Sequence, residues 1–350
     1  MYLLGLKTHT KTSHTAAQGE QSMSANTLRA ERATPGTRRV ETDDRVATRF
    51  AALRYPSLTT TVPKEFVHRA SVAEVMLTDW ERKEDHQFAV MAQWPRGHSF
   101  FTAVNGRHDP LIAAETLRQA GALLAHAEYG VPLGHHFLMW DLSLTVWPEH
   151  LLVGSAPASL DIDVVCSDIK MRRGDLAGFR YQTVMRRAGH VVATGGASFT
   201  CMAPKVYQRL RAGRLNSAGP QLPLTAPTAP QSVGRVSPMD IVLSPVGQEG
   251  RWQLRVDTRH PVLFEHPVDH IPGMMLLEAA RQATVATMGE CATPLSVTAE
   301  FSRYAELDTP CVIEARRLPR TGHEESVDVT GHQNDELVFR STVTVAAPVV

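Results

Sequence analysis

Two short runs carry the same three polar groups at the same spacing: EAARQA at 278–283 and ETLRQA at 115–120. Residues i, i+3 and i+4 share a helix face, so Glu278, Arg281 and Gln282 emerge together, as do Glu115, Arg118 and Gln119. An isolated buried carboxylate is costly unless it is paired or hydrogen-bonded. The plainest reading of each face is therefore a core ion pair whose members satisfy each other. The chemical reading is a carboxylate that takes up a proton beside a guanidinium that holds an anion.

Both runs sit in long segments that are apolar nearly all round (110–127 and 272–289), so each helix must be wrapped by protein. The repeat extends further. VHRASVAEVMLTDW (67–80) lines up with VGRVSPMDIVLSPV (233–246), placing Val67, Arg69, Ser71, Glu74, Val75 and Leu77 on Val233, Arg235, Ser237, Asp240, Ile241 and Leu243. MWDLSLTV (139–146) lies near TAEFSRYA (298–305), so the lag drifts only from 166 to about 159 residues. Each copy reads as a short strand, a second strand (86–94 and 251–257), the helix, and then three or four alternating, β-branched strands. One helix enclosed by an antiparallel sheet is an α+β arrangement, the hotdog architecture. Two tandem copies predict an intrachain pseudo-dimer.

The expected organisation is a tail at 1–60, a first module at 61–212, a linker at 213–231 and a second module at 232–350. The tail has nine Lys/Arg against five Asp/Glu and no sustained period, which predicts disorder, and Met23 within it is an alternative start. MYLLGLKTHTK has too short an apolar core for a signal peptide. RLNSAGPQLPLTAPTAPQ (214–231) has four prolines among small residues, as a semi-extended linker would. Thirty-six basic and 36 acidic residues cancel, so no nucleic acid or membrane surface is expected as a partner. The four cysteines are scattered, which fits a reducing, cytoplasmic setting.

The segments VPKEFVHRASVAEVMLTDW (62–80), FAVMAQWPRGHSFF (88–101), ETLRQA, HPVLFEHPVDHIPGMMLLEAARQA (260–283) and EFSRYAELDTP (300–310) resemble the A-factor biosynthesis family, the double-hotdog γ-butyrolactone synthases of actinobacteria. That resemblance implies an acyltransferase moving a β-ketoacyl group from acyl carrier protein to the hydroxyl of dihydroxyacetone phosphate. The product would be the first step towards a γ-butyrolactone, butenolide or furan signal that controls antibiotic production. It implies no cofactor. PGMMLLEAARQA is also similar to the helix start of hotdog dehydratases, but His266 and His270 stand closer to the proline than the dehydratase histidine does. A thioesterase, a dehydratase or a non-catalytic acyl-binding regulator are the alternatives.

Acyl transfer to an alcohol needs a base, an oxyanion site and a phosphate anchor. A carboxylate with a pKa raised by burial suits the first, the unpaired amides of the Pro272-Gly273-Met274 helix start the second, and an arginine the third. The family pattern selects Glu115 of the first helix and Arg281 of the second, with Glu278 and Arg118 as partners or relics of a second site. Gln119, Gln282, His266, His270, Gly273 and Met274 complete the expected substrate contacts. His98 and His260 read equally well as turn histidines. His135-His136 and His323…His332 lack a third partner at ligand spacing, so no metal is expected. There is no G-x-S-x-G elbow for a serine nucleophile.

Overall fold

Strict alternation of apolar and polar residues marks the strands that bury one face only. ASLDIDVVCS, the start of a strand at Ala158–Arg172, alternates buried and exposed residue by residue. In a computed structural model, which describes residues 59–289, 293–320 and 324–346, twelve such strands form one antiparallel sheet. The expected tail at 1–60 lies almost wholly outside the described residues.

The first module contributes β1 (Leu77–Glu84), β2 (Gln87–Trp94), helix α1 (Leu111–Ala127), β3 (His136–Val146), β4 (Ala158–Arg172), β5 (Asp175–Arg187) and β6 (His190–Met202). A second helix, α2 (Pro204–Ser217), follows. The other module contributes β7 (Leu243–Pro245), β8 (Arg251–Leu254), helix α3 (Gly273–Met288), β9 (Pro294–Phe301), β10 (Val312–Arg317), β11 (Glu324–Gln333) and β12 (Glu336–Ala346). Sheet order is β1-β2-β4-β5-β6-β3-β9-β12-β11-β10-β8-β7. Read inward from either edge, the two halves have the same order, so the modules meet as pseudo-equivalents along β3 and β9. That seam is antiparallel, with Asp141 opposite Glu300 and Thr145 opposite Ser296.

Each module's helix is the centre of its core. All but two of the 17 residues of α1 are buried, including Leu117, Leu123 and Leu124. Tyr181 of β5 lies flat against it and donates its hydroxyl to the Leu117 carbonyl (3.0 Å). A Cβ at Gly121 would stand 2.6 Å from that ring, so glycine lets helix and sheet approach.

The expected module boundary at 212/213 falls inside α2, which the proline-rich composition of the following segment obscured. Pro204 sits in the first turn, where its missing N–H costs nothing. The helix is held by the second module. Tyr207 donates to Asp269 (2.6 Å), and Arg211 binds Glu306 (2.5 Å) and Asp269 (3.3 Å). Among the described residues, no helix is long and apolar enough to cross a membrane.

Candidate active site

Glu115 is 1% exposed and gathers three donors. Arg69 Nε and Arg118 Nη2 reach its Oε1 at 3.0 and 2.8 Å, Arg118 Nε reaches Oε2 at 3.0 Å, and Gln119 Nε2 reaches Oε1 at 2.6 Å. Glu278, fully buried, repeats the arrangement. Arg235 donates at 2.8 Å to each carboxylate oxygen, Arg281 at 2.6 and 2.9 Å, and Gln282 at 2.6 Å. Both helices thus carry an Arg–Glu–Arg–Gln cluster, and the first arginine of each comes from the loop that opens its module.

The protonation state is the reverse of the expected one. Burial pushes both carboxyls up, but two guanidiniums on each outweigh it and bring both down to about 2. Glu115 and Glu278 are fixed anions that hold arginines, and neither is a carboxylic acid poised to exchange a proton. Gln119 and Gln282 are also occupied. Gln119 clamps the chain at Glu74 O (2.7 Å) and Met76 N (2.8 Å), and Gln282 does the same at Asp240 O (2.7 Å) and Val242 N (3.1 Å). Neither amide lines the cavity described next.

A cavity of about 310 Å³ opens on the first cluster. Arg69, Glu115 and Arg118 form one wall, and the second module supplies the facing one: His266, His270, Pro272, Gly273 and Met274. Met275 and Leu276 donate to Pro272 O, which leaves the Gly273 and Met274 amides, the first two of α3, without an intrahelical acceptor. Phe137, Leu142, Phe199, Leu276 and Phe301 make the remainder apolar, and Arg303 adds a further cation.

The second cluster is buried among the described residues. Arg235 donates to Phe100 O (2.7 Å), lies 4.4 Å from the Phe100 ring centroid and pairs with Asp109 at 3.3 Å. The helix facing that cluster, α1, starts after Pro110, which has no N–H, and the next amide, Leu111, is taken by Asp109 Oδ1 (2.9 Å). Arg281, Glu278 and Gln282 are therefore not walls of the cavity, and Glu115 and Arg281 stand in different clusters. Glu115 is paired with Arg118 and Arg69, and Arg281, expected beside Glu115, is paired with Glu278.

Of the sequence candidates, Glu115, Arg118, His266, His270, Gly273 and Met274 are brought together. His98 and His260 act as paired turn residues, each accepting two backbone amides at its Nδ1. Sequence reasoning missed Arg69, Arg303, Tyr207 and His68. The repeat held the signal for two of these. It places Arg69 on Arg235, and it sets His68 (φ 54°) against Gly234 (φ 66°), so an imidazole occupies a left-handed position filled elsewhere by glycine. His68 Nε2 is bonded to His126 Nε2 at 2.8 Å, and burial beside the Arg118 charge pushes its imidazole down to about 3.

The chain matches the model of the A-factor biosynthesis hotdog domain over residues 51–203 and 218–347, two segments that leave out α2 almost to the residue. A Streptomyces virginiae protein named 2-oxo-3-(phosphooxy)propyl 3-oxoalkanoate synthase is 55% identical over 284 residues, 81% of this chain and 96% of that protein. Proteins of the same name from Streptomyces coelicolor and Streptomyces griseus are 45% and 44% identical, over 81% and 80% of this chain and 91% and 94% of theirs. With two pseudo-equivalent modules, a shared sheet and these matches along most of its length, the chain belongs to the A-factor biosynthesis hotdog family.

Proposed function

We propose that this chain is a 2-oxo-3-(phosphooxy)propyl 3-oxoalkanoate synthase, the activity that its relatives' name states. Divided at its ester bond, that product is a β-ketoacyl group and dihydroxyacetone phosphate. The observation that carries the reading is the composition of the cavity on the first cluster: cations and a helix start facing each other across an apolar slot. Arg118 and Arg303 anchor the phosphate. Glu115 and the Val67 carbonyl hold Arg118 in place, and its Nη1 corner has no protein acceptor among the described residues. The acyl chain lies along Phe137, Phe199 and Leu276, with the thioester carbonyl at the Gly273 and Met274 amides. Those two donors meet the charge that develops on the carbonyl oxygen in the tetrahedral intermediate. The donor is acyl carrier protein, which places the reaction in the cytoplasm.

One working site per chain follows from the asymmetry, because the second cluster faces Pro110, Asp109 and Phe100 in place of free amides. Incubating the full chain with β-ketoacyl-carrier protein and dihydroxyacetone phosphate should yield the keto-ester phosphate by mass. Release of free β-keto acid, indifferent to dihydroxyacetone phosphate, would instead make it a thioesterase. Binding without turnover would make it a regulator.

A further inference from the structure

Acyl transfer requires a group to take the proton of the attacking hydroxyl, and Glu115 is already committed to three side chains. Five imidazoles line the same cavity: His68, His135, His136, His266 and His270. Among the described residues, neither His135 nor His136 is hydrogen-bonded to a carboxylate that could orient it, and the His136 ring is stacked on Tyr207. His68 is bonded to His126, whose Nδ1 donates to Val131 O at 2.6 Å, so His126 Nε2 accepts and His68 Nε2 donates. Burial and the Arg118 charge disfavour a proton on the remaining His68 nitrogen, which makes it a poor base. His266 lies 3.2 Å from Glu265, but that carboxylate also accepts the Ala70 and Ser71 amides (2.9 and 3.2 Å) and pairs with Arg69 (3.5 Å). His270 differs. Its Nδ1 is 2.7 Å from Asp269 Oδ1, an oxygen held in turn by the Tyr207 hydroxyl at 2.6 Å, while Arg211 Nε binds Oδ2 at 3.3 Å.

We propose that His270 is the general base of this reaction and that α2, the helix lying outside both family-matched segments, positions it through Tyr207, Arg211 and Asp269. Asp269 fixes the tautomer, with the proton on Nδ1 and the lone pair on Nε2. Arg211 is itself anchored to Glu306 at 2.5 and 2.8 Å, so the carboxylate cannot swing away. His270 precedes Gly273 by three residues, and the Ile271 amide is tied to Ala305 O (2.8 Å), which sets base and oxyanion donors on one short, pinned segment. The other groups around the imidazole are His136 from β3, whose ring stacks on Tyr207 at 3.7 Å, and Arg303 and Tyr304 from the segment after β9, Tyr304 edge-on at 4.9 Å. Burial works against the Asp269 charge, but the bonds from His270 and Tyr207 outweigh it and hold the carboxyl well below the usual range.

The inference rests on the acyl-transfer reading. His270 Nε2 takes the hydroxyl proton of dihydroxyacetone phosphate as the oxygen attacks the thioester carbonyl. The tetrahedral oxyanion then collapses, the C–S bond breaks, and the thiolate takes that same proton back from Nε2. No proton or electron is left over.

The test uses the full chain with a β-ketoacyl N-acetylcysteamine thioester and dihydroxyacetone phosphate. His270→Gln should lower kcat by ~10²–10⁴-fold with an unchanged melting temperature, and His266→Gln should cost far less. Asp269→Asn should displace the acid limb of the kcat/KM profile, since Asp269 is the carboxylate bonded to the imidazole at 2.7 Å. Tyr207→Phe should reduce kcat several-fold in the parent and no further in His270→Gln, the non-additivity of groups acting as one unit. A His270→Gln enzyme within twofold of the parent, or an Asp269→Asn profile that does not move, overturns the assignment. A parent enzyme that makes no ester at all is a different failure, that of the acyl-transfer reading itself.

Discussion

Glu115→Gln is the most direct probe of the open cluster, because glutamine has nearly the shape of a protonated glutamate and lacks only the charge. In the folded chain the carboxyl is brought from 4.5 down to about 2, so the ionised form stabilises the fold. The sign follows from linkage. A depressed folded pKa gives stability that is fully present above the unfolded value and is lost as pH falls towards the folded one. At 1.36 kcal/mol per pH unit, the drop corresponds to roughly 3 kcal/mol at pH 7. The contribution falls off below pH 5, by roughly a quarter at pH 4 and by more than half at pH 3. Denaturant unfolding of parent and Glu115→Gln at pH 7, 5, 4 and 3 should therefore show a gap that is constant down to about pH 5 and then closes. Turnover at pH 7 should fall as well, since Arg118 loses one of its two acceptors on residue 115 and the charge on the other. A gap that stays the same from pH 7 to pH 3 would refute the fixed-anion account. A stable Glu115→Gln whose kcat/KM profile loses its acid limb would return the glutamate to the role of base.

Gly273→Ala and Gly273→Pro separate crowding from chemistry, because both bring a Cβ to 3.3–3.4 Å from the Phe301 ring while only proline removes the amide. Proline suits the first helical position, so the further loss in kcat from alanine to proline should be about 10²-fold and should appear in steady-state rates without a matching fall in Tm. Arg118→Lys should raise the KM for dihydroxyacetone phosphate about tenfold, as a point charge replaces a guanidinium fork. Arg281→Lys should leave that KM alone and lower the melting temperature, since Arg281 is buried against Glu278; a change in KM there instead would put the phosphate at the second cluster.

The two modules were legible because hydrophobic period and repeat agree. The α1 and α3 faces stood out because Glu, Arg and Gln at i, i+3 and i+4 are conspicuous within apolar helices. The other half of each cluster was harder to see. Arg69 and Arg235 lie more than 40 residues from the glutamates that they bind, and only the repeat alignment placed them together. The direction of the Glu115 shift depends on how many cations surround the carboxyl, a tertiary fact that no helical face displays. The helix α2 was hidden for a different reason, since KVYQRLRAGR has no apolar stripe to bury. It folds against Asp269 and Glu306 through charge and hydrogen bonds. The unequal pockets turn on Pro110 against Gly273, two residues that read from the sequence as ordinary helix-start punctuation.

Fusing two hotdog modules into one chain releases them from sameness. In a dimer of identical modules every substitution appears twice, so the residue that begins the central helix must serve both sites. Here the first module keeps the guanidinium wall that lines the cavity and has given up its amides to proline and aspartate. The second keeps the amides and has its own arginines sealed under Phe100. A dimer of first modules would have two anion sites and no oxyanion donors, and a dimer of second modules would have the opposite defect. On the proposed site, each half is a complement that only the other can complete, so turnover would belong to the whole chain and to neither repeat alone.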